Sequence, residues 1–180
     1  MFSNMKFLLH TCCANCGITA IERLSPNFNL TLFWYNPNIH PLYEYQKRLA
    51  DVRKLAKIYN LDLIVGNKDF DKWFMLIREL EEEPEGGKRC SICFKARLEK
   101  TVQFARKNNF DYWGTTLTTG PQKNAETINC IGASLGEKYN SQFYMADFKK
   151  KEGFKKSIIL GKEYNFYRQN YCGCVFSQKG

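Results

Sequence analysis

The chain has 180 residues and a mass of 21.1 kDa, the size of one compact domain with room for a core. With 44% hydrophobic and 25% charged residues, the composition excludes disorder as the main state. No apolar run is long enough to span a bilayer. The start, Met1 to His10, offers only Phe7-Leu8-Leu9 where a secretory leader would need more. The expected setting is therefore cytoplasmic. Eight cysteines are too few for a disulfide-stapled secreted scaffold, and in a reducing compartment clustered thiols point to metal or redox chemistry. The net charge is +9. Nine Lys or Arg against three Asp or Glu fall between Lys138 and Gly180, a bias that attracts polyanions.

In chain order, Lys6 to His10 reads as a short buried strand. It is followed by Thr11-Cys12-Cys13-Ala14-Asn15-Cys16-Gly17 and then by Ile18, Ala20, Ile21 and Leu24 at helical spacing. Leu30 to Tyr35 is a second strand, closed by Asn36-Pro37-Asn38 and Pro41. Apolar residues recurring at three and four predict a helix over Glu44 to Tyr59. Leu61 to Val65 reads as strand and Asp69 to Leu80 as helix. A polar loop, Glu81 to Arg89, leads to a helix that begins near Cys90 and Cys93. Tyr112 to Thr118 reads as strand, Ala125 to Tyr139 as helix, Gln142 to Ala146 as strand, and the tail from Glu152 as helical. Alternating strands and helices with uninterrupted apolar strands argue for a parallel sheet covered on both faces, with a ligand crevice at the carboxyl ends of the strands. Residues 1–180 read as a single metal-binding α/β domain, without repeats or a boundary.

The cysteines carry the chemistry. Cys12 and Cys13 are adjacent, Cys16 follows three residues on, and Cys90 and Cys93 form a second Cys-x-x-Cys. At helix starts such thiolates gain from the dipole, and two distant pairs can close on one centre. Four thiolates suit tetrahedral zinc or an iron–sulfur cluster, and spacing alone leaves both open. Cys130, beside Ile128 and Ile131, is expected to be a packing thiol. A disulfide across the single glycine of Cys172-Gly173-Cys174 would be a strained, labile ring. That makes a good two-electron relay; extra ligands or unlinked thiols remain the alternatives. His10 beside the cysteine loop is expected to be a satisfied, half-buried histidine. Walker glycines, the Ser-Gly-Gly-x-Asp-Ser loop and Gly-x-Gly-x-x-Gly are all missing, which argues against a phosphate cradle. Lys149, Lys150, Lys151, Lys155 and Lys156, interleaved with Phe148, Phe154, Tyr164, Phe166, Tyr167 and Tyr171, combine positive charge with stacking faces, as single-stranded RNA requires.

Taken together, several stretches resemble the QueH family of epoxyqueuosine reductases. They are Leu8 to Ala14, Tyr35 to Pro41 with Glu44, Tyr45 and Arg48, Glu83 to Cys93, Thr115-Thr116-Leu117, Lys123-Asn124, and Tyr167 to Cys174 with Ser177. The matches run from residue 8 to 177 in family order. The resemblance implies a Rossmann-like fold similar to the adenine nucleotide α-hydrolase group, with cysteines in place of the nucleotide loop and a helical C-terminal part. It also implies an oxidoreductase that converts epoxyqueuosine to queuosine at the wobble position of a tRNA. By position, Cys12, Cys13, Cys90 and Cys93 are implied as ligands of a [4Fe-4S] cluster, and Cys172 and Cys174 as the redox-active pair. Cys16 stands where many members carry Asp; it is either a ligand of an additional iron ion near the cluster or a bystander. The implied partners are the tRNA anticodon loop and an unidentified electron donor. His10, Asp147 and Tyr171 are candidate proton donors. A zinc-stabilised RNA-binding module without catalysis uses the same thiolates but gives Cys172 and Cys174 no task. An ATP-dependent tRNA-modifying enzyme on the same fold would need the missing phosphate loop.

Overall fold

The structure, a computed structural model, describes residues 4–178. Five strands form one all-parallel sheet in the order β3-β2-β1-β4-β5. They are β1 (Lys6–His10), β2 (Asn29–Trp34), β3 (Asp62–Val65), β4 (Tyr112–Thr115) and β5 (Gln142–Phe143). The helices are α1 (Ala14–Leu24), α2 (Leu42–Ile58), α3 (Phe70–Leu76), α4 (Lys88–Lys107), α5 (Ala125–Tyr139) and α6 (Gly153–Glu163). The α/β expectation holds, with a Rossmann-like sheet covered on both faces.

The central strand explains why both faces are needed. Phe7, Leu8 and Leu9 are all fully buried, yet successive strand side chains point to opposite sides. Phe7 and Leu9 join Leu32 and Trp34 in a core under α1, α2 and α6. Leu8 joins Phe33 and Trp113 in a second core under α4 and α5. Each β–α–β crossover brings its helix back to the amino edge of the next strand. The start of α1 and, across a 20-residue helix about 30 Å long, the start of α4 therefore both lie at the carboxyl edge. The order of strands reverses between β1 and β4, and such a switch point leaves a crevice.

Several boundaries differ from the sequence reading. The strand expected to run to Thr118 stops at Thr115, where the Thr115 hydroxyl accepts from Leu117 N and the chain tightens into a 3₁₀ turn over Thr116–Thr119. The expected helix to Leu80 ends at Leu76, and Glu79 takes a positive φ of 68°. The strand expected to reach Ala146 is only two residues long. The tail is helical only to Glu163; beyond it the chain crosses the crevice in irregular form, apart from a 3₁₀ turn at Val175–Ser177. Cys130 is exposed, not packed. It lies two residues from buried Ile128, which places it some 200° around the helix on the outer face.

Candidate metal centre

The residue after β1 begins the site. Cys12 N donates to Thr116 Oγ1 (3.1 Å), whose hydroxyl faces Cys12 Sγ (3.4 Å). The loops that follow β1 and β4 are thus stitched together at the switch point. Cys13 is the N-cap of α1 and its sulfur accepts from Cys16 N (3.3 Å). A thiol here stands where Ser or Asp usually caps, and the positive end of the helix favours the thiolate. The donor atoms of Cys12, Cys13 and Cys16 all lie within 4.8 Å of one another. Hydrogen bonds from Cys13 and Cys16 hold the Cys12 thiol well below its ordinary range. The same bonds push the Cys13 thiol up to about 12 and the Cys16 thiol well up.

Cys90 and Cys93 occupy the first turns of α4 and are buried. They lie outside the 4.8 Å group formed by the three residues of the β1 loop. Cys90 accepts from Gly86 N (3.2 Å) and belongs to the core cluster against which Cys12 packs. Cys93 packs with Trp73, Ile77 and Cys174, and burial raises its thiol. The tail delivers the last pair: Cys172 packs against that same small cluster. Both of its thiols are free. Cys172 Sγ lies 3.0 Å from Ser177 Oγ and receives Cys174 N at 3.5 Å. A hydrogen bond from the Cys174 thiol, with the Lys123 charge and Ser177, brings Cys172 well below its ordinary range and drives Cys174 up. Of the two, Cys172 is the one whose thiolate form is favoured.

A cleft of about 1020 Å³ holds Cys12, Cys16, Lys123, Tyr171 and Cys172 among its lining. It also takes in the exposed cations Lys47, Lys162 and Arg168. Lys123 is mostly buried. Burial alone would lower its ammonium, but the charges of Cys172 and Glu85 outweigh that and keep it protonated. Tyr171 lines the cleft and its hydroxyl donates to His40 O. Asp147 lies elsewhere, in a hollow of about 630 Å³ beside Lys149 and Lys150.

His10 is fully rather than half buried. Its Nε2 lies 3.1 Å from Tyr35 O and its Nδ1 lies 2.8 Å from Thr115 Oγ1. A carbonyl only accepts, so the proton sits on Nε2 and Nδ1 takes the Thr115 hydroxyl. Burial and the Arg97 charge lower this imidazole to about 3, so it stays neutral at neutral pH and its one ring proton is held by the Tyr35 carbonyl.

The basic patch expected from sequence is divided by the fold. Phe148 and Phe166 belong to the core with Tyr164 packed against it, while Lys155 pairs with Glu152 and Lys156 with Glu22. Sequence reasoning also missed Arg97. It lies one helical turn beyond Cys93 on α4, and that i,i+4 spacing was the available signal. Arg97 is 4% exposed, and its Nη2 donates to Asn36 Oδ1 (2.6 Å) while its Nε has no acceptor. Among the described residues no carboxylate pairs with it. Its charge acts on Cys12 and Cys93 instead. A buried cation without a counter-ion is costly, so the site fits a group that gathers negative charge on sulfur. Gln169 Nε2 donates to Cys13 Sγ at 3.0 Å, the kind of N–H···S contact that surrounds metal-bound thiolates.

Among solved structures, the chain is similar to the U34-tRNA thiolase NcsA from Methanococcus maripaludis with its [4Fe-4S] cluster. The TM-score is 0.61 at 12% identity, over 98% of this chain and 62% of that one, or about three fifths of its length. It is also similar to a predicted tRNA methyltransferase subunit from Methanocaldococcus jannaschii, with a TM-score of 0.60 at 16% identity, over 88% of this chain and 76% of that one. At these identities the likeness is one of fold. Curated relatives are nearer. The epoxyqueuosine reductase QueH of Streptococcus pyogenes serotype M1 is 38% identical over 180 residues, 97% of this chain and 71% of that protein. That of Thermotoga maritima is 39% identical over 173 residues, 94% and 88% of the two chains. The family model described as epoxyqueuosine reductase QueH matches residues 7–180. With the fold, the thiols and these matches in agreement, the chain belongs to the epoxyqueuosine reductase QueH family.

Proposed function

We propose that this protein reduces the epoxide of epoxyqueuosine at the tRNA wobble position to give queuosine. The observation that carries the proposal is the cleft lined in common by Cys12, Cys16 and Cys172; a nucleotide bound there would meet candidate metal ligands and the Cys172 thiol together. The reaction consumes one epoxide, two electrons and two protons and gives one alkene and one water. Cys12, Cys13, Cys90 and Cys93 would hold a [4Fe-4S] cluster, and Cys16 an additional iron; Arg97 offsets the charge of the thiolates. When bound, the cluster supplies electrons one at a time, and iron supplies a Lewis acid.

The chain's own groups do the rest. Cys172 and Cys174 store two electrons as a dithiol and give them up on closing a disulfide, with an external donor restoring them. Lys123, kept protonated in the cleft that Cys172 also lines, would donate a proton to the departing oxygen. Lys47, Lys162 and Arg168 attract the phosphates of the anticodon loop.

The test is anaerobic incubation of iron-reconstituted protein and a low-potential reductant with epoxyqueuosine-containing tRNA, followed by nucleoside analysis. Queuosine forms with the wild type and fails to form with Cys172→Ser or Cys174→Ser. A colourless, zinc-containing protein that binds the tRNA without changing its nucleoside would instead establish a non-catalytic RNA-binding module. Wild-type turnover in either serine variant would remove the thiol relay.

A further inference from the structure

The tail loop that carries Cys172 and Cys174 is held by two residues with no part in the chemistry so far. Arg48, on the second turn of α2, uses every edge of its guanidinium. Its Nε donates to Glu44 Oε1 (2.7 Å), its Nη1 to Cys172 O (3.2 Å) and its Nη2 to Tyr171 O (3.1 Å). Glu44 is 2% exposed and Arg48 3%, and the second oxygen of Glu44 accepts the Tyr167 hydroxyl (3.1 Å). The next carbonyl, Gly173 O, accepts from His40 N (2.8 Å). Three successive carbonyls, at 171, 172 and 173, are therefore held against α2 and the segment before it. Gly173 has a φ of +103°, and a Cβ there would come 2.8 Å from Ile39 Cγ1 and 3.2 Å from Arg48 Nη1. Arg48 reaches the sulfurs only through the backbone that bears them.

We propose that the Glu44–Arg48 pair is a positioning device that sets the thiol–disulfide equilibrium of Cys172 and Cys174. This rests on the reading of those two cysteines as a redox couple. Both thiols are free while every one of these bonds is made, so the dithiol form accommodates the whole clamp. Closing a disulfide across one residue requires a specific torsion about the new bond. A loop pinned at three adjacent carbonyls resists the backbone rotation that this needs. The clamp therefore disfavours ring closure and makes the couple more oxidising, poised to take up electrons readily after each turnover. A fork-shaped guanidinium suits two neighbouring carbonyls, whereas an ammonium is a point charge and does not reproduce the geometry.

The experiment is a redox titration of the full-length protein against reduced and oxidised dithiothreitol under anaerobic conditions. Acid quenching, differential alkylation and peptide mass analysis read residues 172 and 174. The two electrons and two protons lost by the dithiol pass to the probe disulfide, opening its ring. Arg48→Lys is expected to shift the exchange constant about tenfold toward the protein disulfide, which is ~30 mV for a two-electron couple. The isosteric Glu44→Gln, which keeps the shape and removes the charge that orients the guanidinium, shifts it the same way by less. Thermal unfolding of each variant establishes that it is folded, and Glu44→Gln decides the question if Arg48→Lys is not. A wild type that forms no 172–174 disulfide at any probe ratio overturns the redox reading and this inference with it. A wild type that titrates, with folded variants titrating at the same ratio, overturns the clamp alone.

Discussion

His10 sits between Thr115 and Tyr35 with both ring nitrogens engaged and no exposure. Its imidazole is lowered from the ordinary 6.5 to about 3. The protonated form is therefore disfavoured in the folded chain and free to form in the unfolded one. Above pH 6.5 neither state binds the proton and His10 contributes nothing to the pH dependence. As pH falls from 6.5 toward 3 the unfolded state takes up a proton that the native state refuses. Stability then declines by at most about 1.4 kcal/mol per pH unit from this residue. Denaturant titrations at pH 7, 5.5 and 4 should show His10→Gln with a shallower acid decline than the wild type. Parallel curves would mean that other groups set the acid limit. What His10 does natively is to tie the ends of β1 and β4 to the turn after β2, fixing the loop that begins at Cys12.

Elements place these side chains through their termini. The start of α4 is held by buried Arg89, whose Nη1 donates to the carbonyls of Leu80, Glu81 and Glu83 (2.9, 2.7 and 2.5 Å). The polar loop thereby wraps around a cation of the helix it introduces, and Cys90 and Cys93 are buried on its first two turns. At α5 the Asn124 side chain accepts from Thr127 N (3.0 Å), next to Lys123 in sequence. Asn124→Ala should cost about 1 kcal/mol in denaturant stability, with an accompanying rise in amide exchange confined to the first turn of α5. An unchanged first turn would show that packing against α4, not the cap, holds that end. The length of α5 agreed with its sequence pattern at both ends because the Asn124 cap and Asn140, at a positive φ of 47°, are local signals. The β4 end did not, because threonines that suit a strand were recruited into a 3₁₀ turn by a hydroxyl contact.

At the scale of the whole molecule, charge and cleft act together. Lys47, Lys162 and Arg168 come from α2, α6 and the tail, far apart in sequence, and line one opening. If they neutralise phosphates, affinity for the tRNA falls with salt, and the slope of log K against log salt records how many are met. Replacing all three by Ala should reduce that slope by about two units while thermal stability stays within experimental error, since all three are exposed. An unchanged slope would move the RNA to another face, the hollow beside Lys149 and Lys150 being the next cationic surface.

The amino-acid order alone determined the alternation of strands and helices, the all-parallel sheet, and which thiols flank helix starts. Those features depend on apolar periodicity and on spacings of three or four residues, which act locally. It did not reveal that Arg97 lies buried without a carboxylate among the described residues, or that Cys130 faces solvent. Nor did it show that Glu44 and Arg48 grip a loop more than a hundred residues away. Those arrangements exist only once the sheet brings the ends of β1 and β4 together and the tail crosses the crevice. Burial, which gives each charge and sulfur its chemistry, is a property of the packed chain and not of any segment of it.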